Sequence, residues 1–331
     1  MYGTVQTAKR LLRMAAVGLA AALVCAAGAS ATVTPRYLVP VGHTVGIKLF
    51  SRGVVVVRPP EGGTPAKACG LRSGDVILEC GGDAVTSTEQ FQSLLQACGG
   101  EAELSVRRGS GEMTVRVQPR QNDQGVYCIG AWIRDSMAGI GTMTYYDPAT
   151  KTFGALGHGI TDVDTAQLMP FSSGSILPST VKAVKKGTCG AAGELRGAFE
   201  LESNLGGLYA NTASGVFGTL EGDLPASQGQ AVPTGDPAPG AAVIAANVQG
   251  DGVEMFAIEI LKTNSVAQDG RDLVLSVTDP ALLELTGGIV QGMSGSPILQ
   301  NGRLVGAVTH VLLNDPTKGY GISIENMLKA A

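Results

Sequence analysis

Ser294 stands in the run Gly292-Met293-Ser294-Gly295-Ser296-Pro297, where the two glycines permit a bend that bulkier residues oppose. Such a bend presents a hydroxyl at a surface and turns neighbouring backbone N–H groups inward, toward a developing negative charge. A serine hydroxyl becomes a useful nucleophile only when a base takes its proton, and neutral imidazole suits that role near pH 7. The chain has three histidines, His43, His158 and His310. His158 lies among small residues, Gly154-Ala155-Leu156-Gly157-His158-Gly159, at the end of a strand-like run. It precedes Ser294 by roughly the length of one barrel with its loops, and it is the base this reading selects. His43 falls in an N-terminal loop, and His310 ends a strand close behind the serine. Ser294 and His158 together imply acyl transfer.

A carboxylate that orients the imidazole would complete the set, but spacing does not select one. Asp162 and Asp164 sit close behind His158 in sequence, where capping a turn is the natural job. Asp279, in Ser276-Val277-Thr278-Asp279-Pro280, is a further candidate, although Asp-Pro equally begins a helix. No cysteine pair has the C-x-x-C spacing of a zinc site, so the sequence calls for no metal and no cofactor. Beyond Cys25, the cysteines 69, 80, 98, 128 and 189 are odd in number and read mainly as small apolar residues, with one disulfide open to an oxidising compartment.

The elements that must hold these groups are short strands. Of 331 residues, 44% are hydrophobic, 16% charged and 47 are glycine, with one tryptophan, which points to a mostly β protein of two folded units. The net charge of -4 is scattered, and no basic cluster beyond the N-terminus suits a nucleic acid partner. Lys9, Arg10 and Arg13 precede an uncharged apolar stretch over 14–33, the form of an export signal. Ala29-Ser30-Ala31 is a cleavage pattern, and a stretch of about 20 residues also suffices as a membrane anchor. The mature chain is expected to work outside the cytoplasm. Residues 1–40 are read as leader and linker, 41–120 as a first domain and 121–331 as a second.

In the first domain, Thr44 to Phe50 and Gly53 to Val57 read as two strands joined by a short turn. In Thr64-Pro65-Ala66-Lys67-Ala68-Cys69-Gly70-Leu71-Arg72-Ser73-Gly74-Asp75-Val76-Ile77, Pro65 opens a short helix and Gly70 closes it. Thr88 caps a helix reaching Cys98, and 102–107 with 112–117 form a hairpin. This order resembles a bacterial PDZ domain. The resemblance implies that a peptide docks as an added strand beside Thr44-Val45-Gly46-Ile47, the counterpart of the carboxylate-binding loop, with the helix from Thr88 as the groove wall. Thr44 departs from the usual leading glycine.

In the second domain, Asn301-Gly302 turns a hairpin immediately after the serine bend, and residues 222–240 read as a long surface loop. The serine bend with its hairpin resembles the nucleophile region of chymotrypsin-like peptidases. That resemblance implies a double β-barrel fold and an oxyanion hole made by the N–H groups of Gly292 and Ser294. More closely, the runs 154–165 and 277–297, and the tail Val308-Thr309-His310…Asn314-Asp315-Pro316-Thr317-Lys318-Gly319-Tyr320-Gly321, resemble the stage IV sporulation B peptidases of endospore-forming bacteria, as does the order leader, PDZ, peptidase. This implies a triad of His158, Asp279 and Ser294, cleavage of the chain's own N-terminal segment, and cleavage of a membrane-bound regulator between the two membranes around the forespore, releasing a late sigma factor. The alternatives are a non-catalytic scaffold on the same folds and a general extracytoplasmic quality-control protease, whose usual order places PDZ after the catalytic domain.

Overall fold

The computed structural model describes residues 35–58, 62–200, 203–221, 229–264 and 271–331. The apolar stretch 14–33 and the pattern at 29–31 lie outside them, as does 222–228 of the expected surface loop. No helix among the described residues is long and apolar enough to cross a membrane.

Two closed barrels form the larger body. In the first, β2 (Thr44–Arg58) pairs with β6 (Trp132–Asp147), β6 with β7 (Thr152–Ala155), and β7 with β10 (Gly215–Leu220). Next come β9 (Gly206–Thr212) and β8 (Phe171–Lys185), and β8 returns to β2. Alternation along β2 turns Val45, Ile47 and Leu49 inward, where the first two join Met143, Phe153, Ile176 and Val216 in one core. In the second barrel, β11 (Gly240–Gln249), β12 (Gly252–Thr263), β13 (Leu273–Val277), β16 (Lys318–Ser323), β15 (Arg303–Val311) and β14 (Pro297–Gln300) pair in that order, and β14 closes onto β11. Asn301 and Gly302, with φ of 51° and 71°, make the expected turn between β14 and β15. A double β-barrel is what the sequence led one to expect.

The barrels meet over Leu38, Tyr145, Phe217, Leu304, Ala307 and Ile322, and the C-terminal helix α4 (Ile324–Lys329) adds Ile324 and Met327. Each large apolar side chain buried there contributes about 1.5–3 kcal/mol, which fixes one barrel against the other.

The PDZ core is a separate cluster. It gathers Val54, Val56, Ile77, Phe91, Leu95, Leu104 and Val115 from β2, β3 (Val76–Cys80), β4 (Ala102–Arg108), β5 (Gly111–Val117) and the helix α2 (Thr88–Cys98). The short helix α1 (Pro65–Ala68) starts at Pro65, and Gly70 follows it with φ of 81°, as expected. The cap of α2 is Ser87, one residue earlier than expected, because its hydroxyl accepts from the Gln90 amide.

The boundary between the units differs from the sequence reading. Thr44 to Phe50 and Gly53 to Val57 form one continuous strand, β2, whose first part is a stave of the first barrel and whose second part enters the PDZ domain. The chain returns on β6, which pairs with both parts: Trp132 to Arg134 against the PDZ end, Ser136 to Thr142 against the barrel end. The PDZ domain is thus an insertion within a barrel hairpin. Hydrophobic alternation reports strands but not their partners, so a strand shared between two cores reads as belonging to one. All five cysteines among the described residues are free thiols; burial and the neighbouring Cys98 push the Cys80 thiol up to about 12.

Candidate active site

A cavity of about 430 Å³ lies between the barrels and is lined by Leu156, His158, Gly292, Ser294, Thr309 and His310 among others. His158 arrives from the first barrel just beyond β7. Leu156 and Gly157 precede it with φ of 68° and 67°, a conformation that a leucine adopts only under constraint. A Cβ at Gly157 would lie 2.9 Å from Thr309 Cγ2 and 3.0 Å from Ile322 Cγ2, so the second barrel leaves room for glycine alone.

Ser294 comes from the second barrel, on the bend between helix α3 (Pro280–Thr286) and β14. The bend is fastened to the first barrel by one residue of β6. The Thr142 amide donates to the Ser294 carbonyl at 2.9 Å, and its hydroxyl donates to the Gly292 carbonyl at 2.7 Å. The contact is so close that a Cβ at Gly295, whose φ is 98°, would stand 2.0 Å from the Thr142 carbonyl oxygen.

Within the bend, the amides of Met293, Gly295 and Ser296 donate to the carbonyls of Val290, Val308 and Met293. The amides of Gly292 and Ser294 donate to no carbonyl among the described residues, and they are the pair that the chymotrypsin-like resemblance implied for an oxyanion hole. Pre-set N–H groups of this kind stabilise a tetrahedral oxyanion without reorganising during the reaction.

The His158 Nδ1 lies 2.9 Å from the Gly159 carbonyl. A carbonyl only accepts, so Nδ1 carries the proton and Nε2 is left as the basic nitrogen. Burial holds the imidazole below its ordinary pKa, partly offset by the Gly159 hydrogen bond, which keeps the ring neutral and able to accept a proton at pH 7. The Ser294 hydroxyl donates to the Thr309 carbonyl at 2.6 Å, and no hydrogen bond joins it to His158. A hydrogen bond from Ser294 to His158 would require the serine side chain to rotate away from the Thr309 carbonyl.

Asp279 is not brought to this cavity. It caps α3, its carboxylate accepting from the amides of Ala281 and Leu282 and from Ala257. Those amides hold its pKa below the usual carboxylate range, the Ala257 bond being the largest cause. The third place in the triad that the resemblance gave it has no geometric counterpart here. Asp162 is buried and bends the loop after His158: it accepts from the amides of Asp164 and Thr165 and pairs with Arg134, which also reaches Asp164 at 3.1 Å.

Thr44, Val45, Gly46 and Ile47 do not form a loop. They are buried within β2, paired on one edge with β8 and on the other with β6, and a peptide has no edge there to join. His43 is likewise buried, 2.7 Å from the Thr44 carbonyl through Nδ1, and belongs to the barrel rather than to a PDZ loop. The strand lying beside α2 is instead Trp132–Asp135, where Asp135 accepts from the Thr88 amide and hydroxyl.

Sequence reasoning did not single out Thr142 or Asn211. Asn211 clamps the loop after His158 by accepting from the Ile160 amide and donating to the carbonyls of Ile160 and Met169. Each is one polar residue in a strand, and only the strand pairing reveals what it meets. Among the described residues no group of three or more His, Cys, Asp or Glu side chains gathers as a metal site would.

The sequence matches the SpoIVB peptidase S55 family over residues 125–328 and a PDZ domain over residues 56–108. The chain belongs to the SpoIVB peptidase S55 family. It also carries a PDZ domain, and the family is one of peptidases. A Clostridium perfringens protein described as a candidate zinc metalloprotease is 30% identical over 109 residues, which is 33% of this chain and 32% of that protein. The serine protease HTRA1 of Xenopus tropicalis is 34% identical over 58 residues, 18% of this chain and 13% of its own length. The chain thus spans a third or less of these curated relatives. The crystal structure of the PDZ domain of an SdrC-like protein from Listeria monocytogenes is 21% identical and covers 25% of this chain and 87% of that one, with a TM-score of 0.23.

Proposed function

We propose that Ser294 is the nucleophile of this peptidase, with His158 as its general base and the Gly292 and Ser294 amides as its oxyanion hole. The observation that carries the reading is the meeting of all these groups, from two barrels, in one cavity. Ser294 Oγ attacks the peptide carbonyl and passes its proton to His158 Nε2. His158 returns the proton to the leaving amine, and water then hydrolyses the acyl-enzyme by the same route. A fluorophosphonate probe tests this directly: the wild-type protein is labelled, and Ser294→Ala and His158→Ala are not. Full labelling of Ser294→Ala would remove Ser294 from the role.

The physiological substrate in this reading is a membrane-bound regulatory protein, and the chain's own N-terminal segment is a second one. Its setting is the space between the forespore and mother-cell membranes, where the cut signals activation of a late sigma factor. Membership of the SpoIVB peptidase family and the apolar stretch at 14–33 support this placement. The PDZ domain takes up an extended peptide beside α2, where Trp132 is 70% exposed. Mass spectrometry of the mature N-terminus, compared between the wild type and Ser294→Ala, reads the self-cleavage: an identical N-terminus in both refutes it.

A further inference from the structure

The cavity holds a second imidazole that the proposed acyl transfer does not use. His310, near the end of β15, places its ring centroid 4.9 Å from that of His158, with the planes inclined by 36°. That separation lies within the range in which aromatic rings hold one another's orientation, about 4.5–7 Å. The residue before it, Thr309, is buried and accepts the Ser294 hydroxyl through its carbonyl. One dipeptide of the second barrel therefore touches both the nucleophile and the base.

In a serine–histidine pair the third group has two tasks, to fix which nitrogen carries the proton and to hold the ring in the plane that faces the hydroxyl. The Gly159 carbonyl performs the first through Nδ1. That bond restrains rotation about the Cβ–Cγ axis at a single atom on one edge of the ring, and a flat neighbour adds restraint across its face. Among the described residues, the cavity lining contains no aspartate or glutamate, and Asp279 is committed to α3. We propose that His310 is the positioning residue for His158: its ring packs against the base and holds Nε2 toward Ser294, and together with the Gly159 carbonyl it does the work assigned elsewhere to a carboxylate. This rests on Ser294 and His158 being the catalytic pair.

The test is steady-state cleavage of an unstructured protein substrate by the full chain carrying His310→Ala, His310→Gln or His310→Phe, each checked by thermal melting. A base left free to turn loses about 10- to 100-fold in rate. His310→Ala is therefore expected to lower kcat by that factor with KM within about twofold of wild type, and His310→Gln, which lacks a ring, to do the same if the alanine variant melts early. His310→Phe restores a flat ring and returns kcat to within about fivefold of wild type. Full kcat in the alanine and glutamine variants overturns the proposal, as does a phenylalanine variant as slow as they are. Wild-type turnover with a silent Ser294→Ala shows the pair itself to be sound, so failure of His310 alone is recognisable; turnover undiminished in Ser294→Ala overturns both readings.

Discussion

Replacing Asp279 separates two roles that a carboxylate can play, and the structure makes the outcome quantitative. As a helix cap, Asp279 satisfies the amides of Ala281 and Leu282 and also holds Ala257. Loss of such a cap to alanine costs about 1 kcal/mol, within a range of about 0.5–2. With the exposed Ala257 bond included, Asp279→Ala is expected to destabilise by about 1–2 kcal/mol. For a body of this size that lowers Tm by about 2–8 °C. Asparagine caps about as well as aspartate, so Asp279→Asn is expected to leave Tm within about 2 °C. In both variants kcat of the folded protein stays within about twofold. A triad acid behaves differently: loss of its charge lowers kcat by about 10⁴, equivalent to about 5.5 kcal/mol of transition-state stabilisation. The assay is kcat at a temperature well below both melting points, read beside calorimetric melts. A fall of 10³ or more in Asp279→Asn with a wild-type melting curve would refute the assignment of Asp279 to α3 and return it to His158.

Further outcomes follow from the same geometry. Because burial depresses the His158 pKa, kcat/KM is expected to hold as pH falls below 6.5 and then to drop tenfold per pH unit below the folded pKa; a pH–rate limb centred above 6.5 counts against a buried base. The unfolded chain binds that proton first, so the His158 contribution to stability is present above the unfolded pKa and is lost as pH falls through it toward the folded value, which chemical denaturation at stepped pH measures. Gly295→Ala drives a Cβ against the Thr142 carbonyl at a positive φ, and overpacking with backbone strain costs roughly 3 kcal/mol or more, so both Tm and probe labelling fall; unchanged labelling would show that the bend is not held to β6. Arg134→Met leaves the buried Asp162 carboxylate without its cation, at a cost of about 3–5 kcal/mol, and Asp162→Asn in the same chain recovers part of the loss in a denaturation series.

The parts of the site legible in sequence are those whose chemistry is local. The bend around Ser294 announces itself through Gly292 and Gly295, the hairpin behind it through Asn301-Gly302, and His158 through its small neighbours. What escaped is decided between strands distant in sequence. Asp-Pro at 279–280 supports a triad acid and a helix cap equally well, and only the position of α3 chooses between them. Thr44 to Ile47 alternate as any half-buried strand does, and nothing in that alternation says that β6 and β8 occupy both edges. Thr142 carries no local sign of its grip on the serine bend, since 150 residues separate it from Gly292.

β6 is a single span that begins in the PDZ domain at Trp132, carries Arg134 to the loop after His158, and ends its grip at Thr142 under the Ser294 bend. From Trp132 to Thr142 it measures roughly 32–34 Å at the usual rise per residue. One continuous strand thus runs from the Trp132 end to the carbonyls of Gly292 and Ser294 that Thr142 holds, with no loop between them. The same design makes the module a graft with both stumps side by side, Phe50 opposite Ser136, so it is removed cleanly only by cutting at those stumps; a cut that takes residues 41–120 pulls out a stave and lets the vessel collapse.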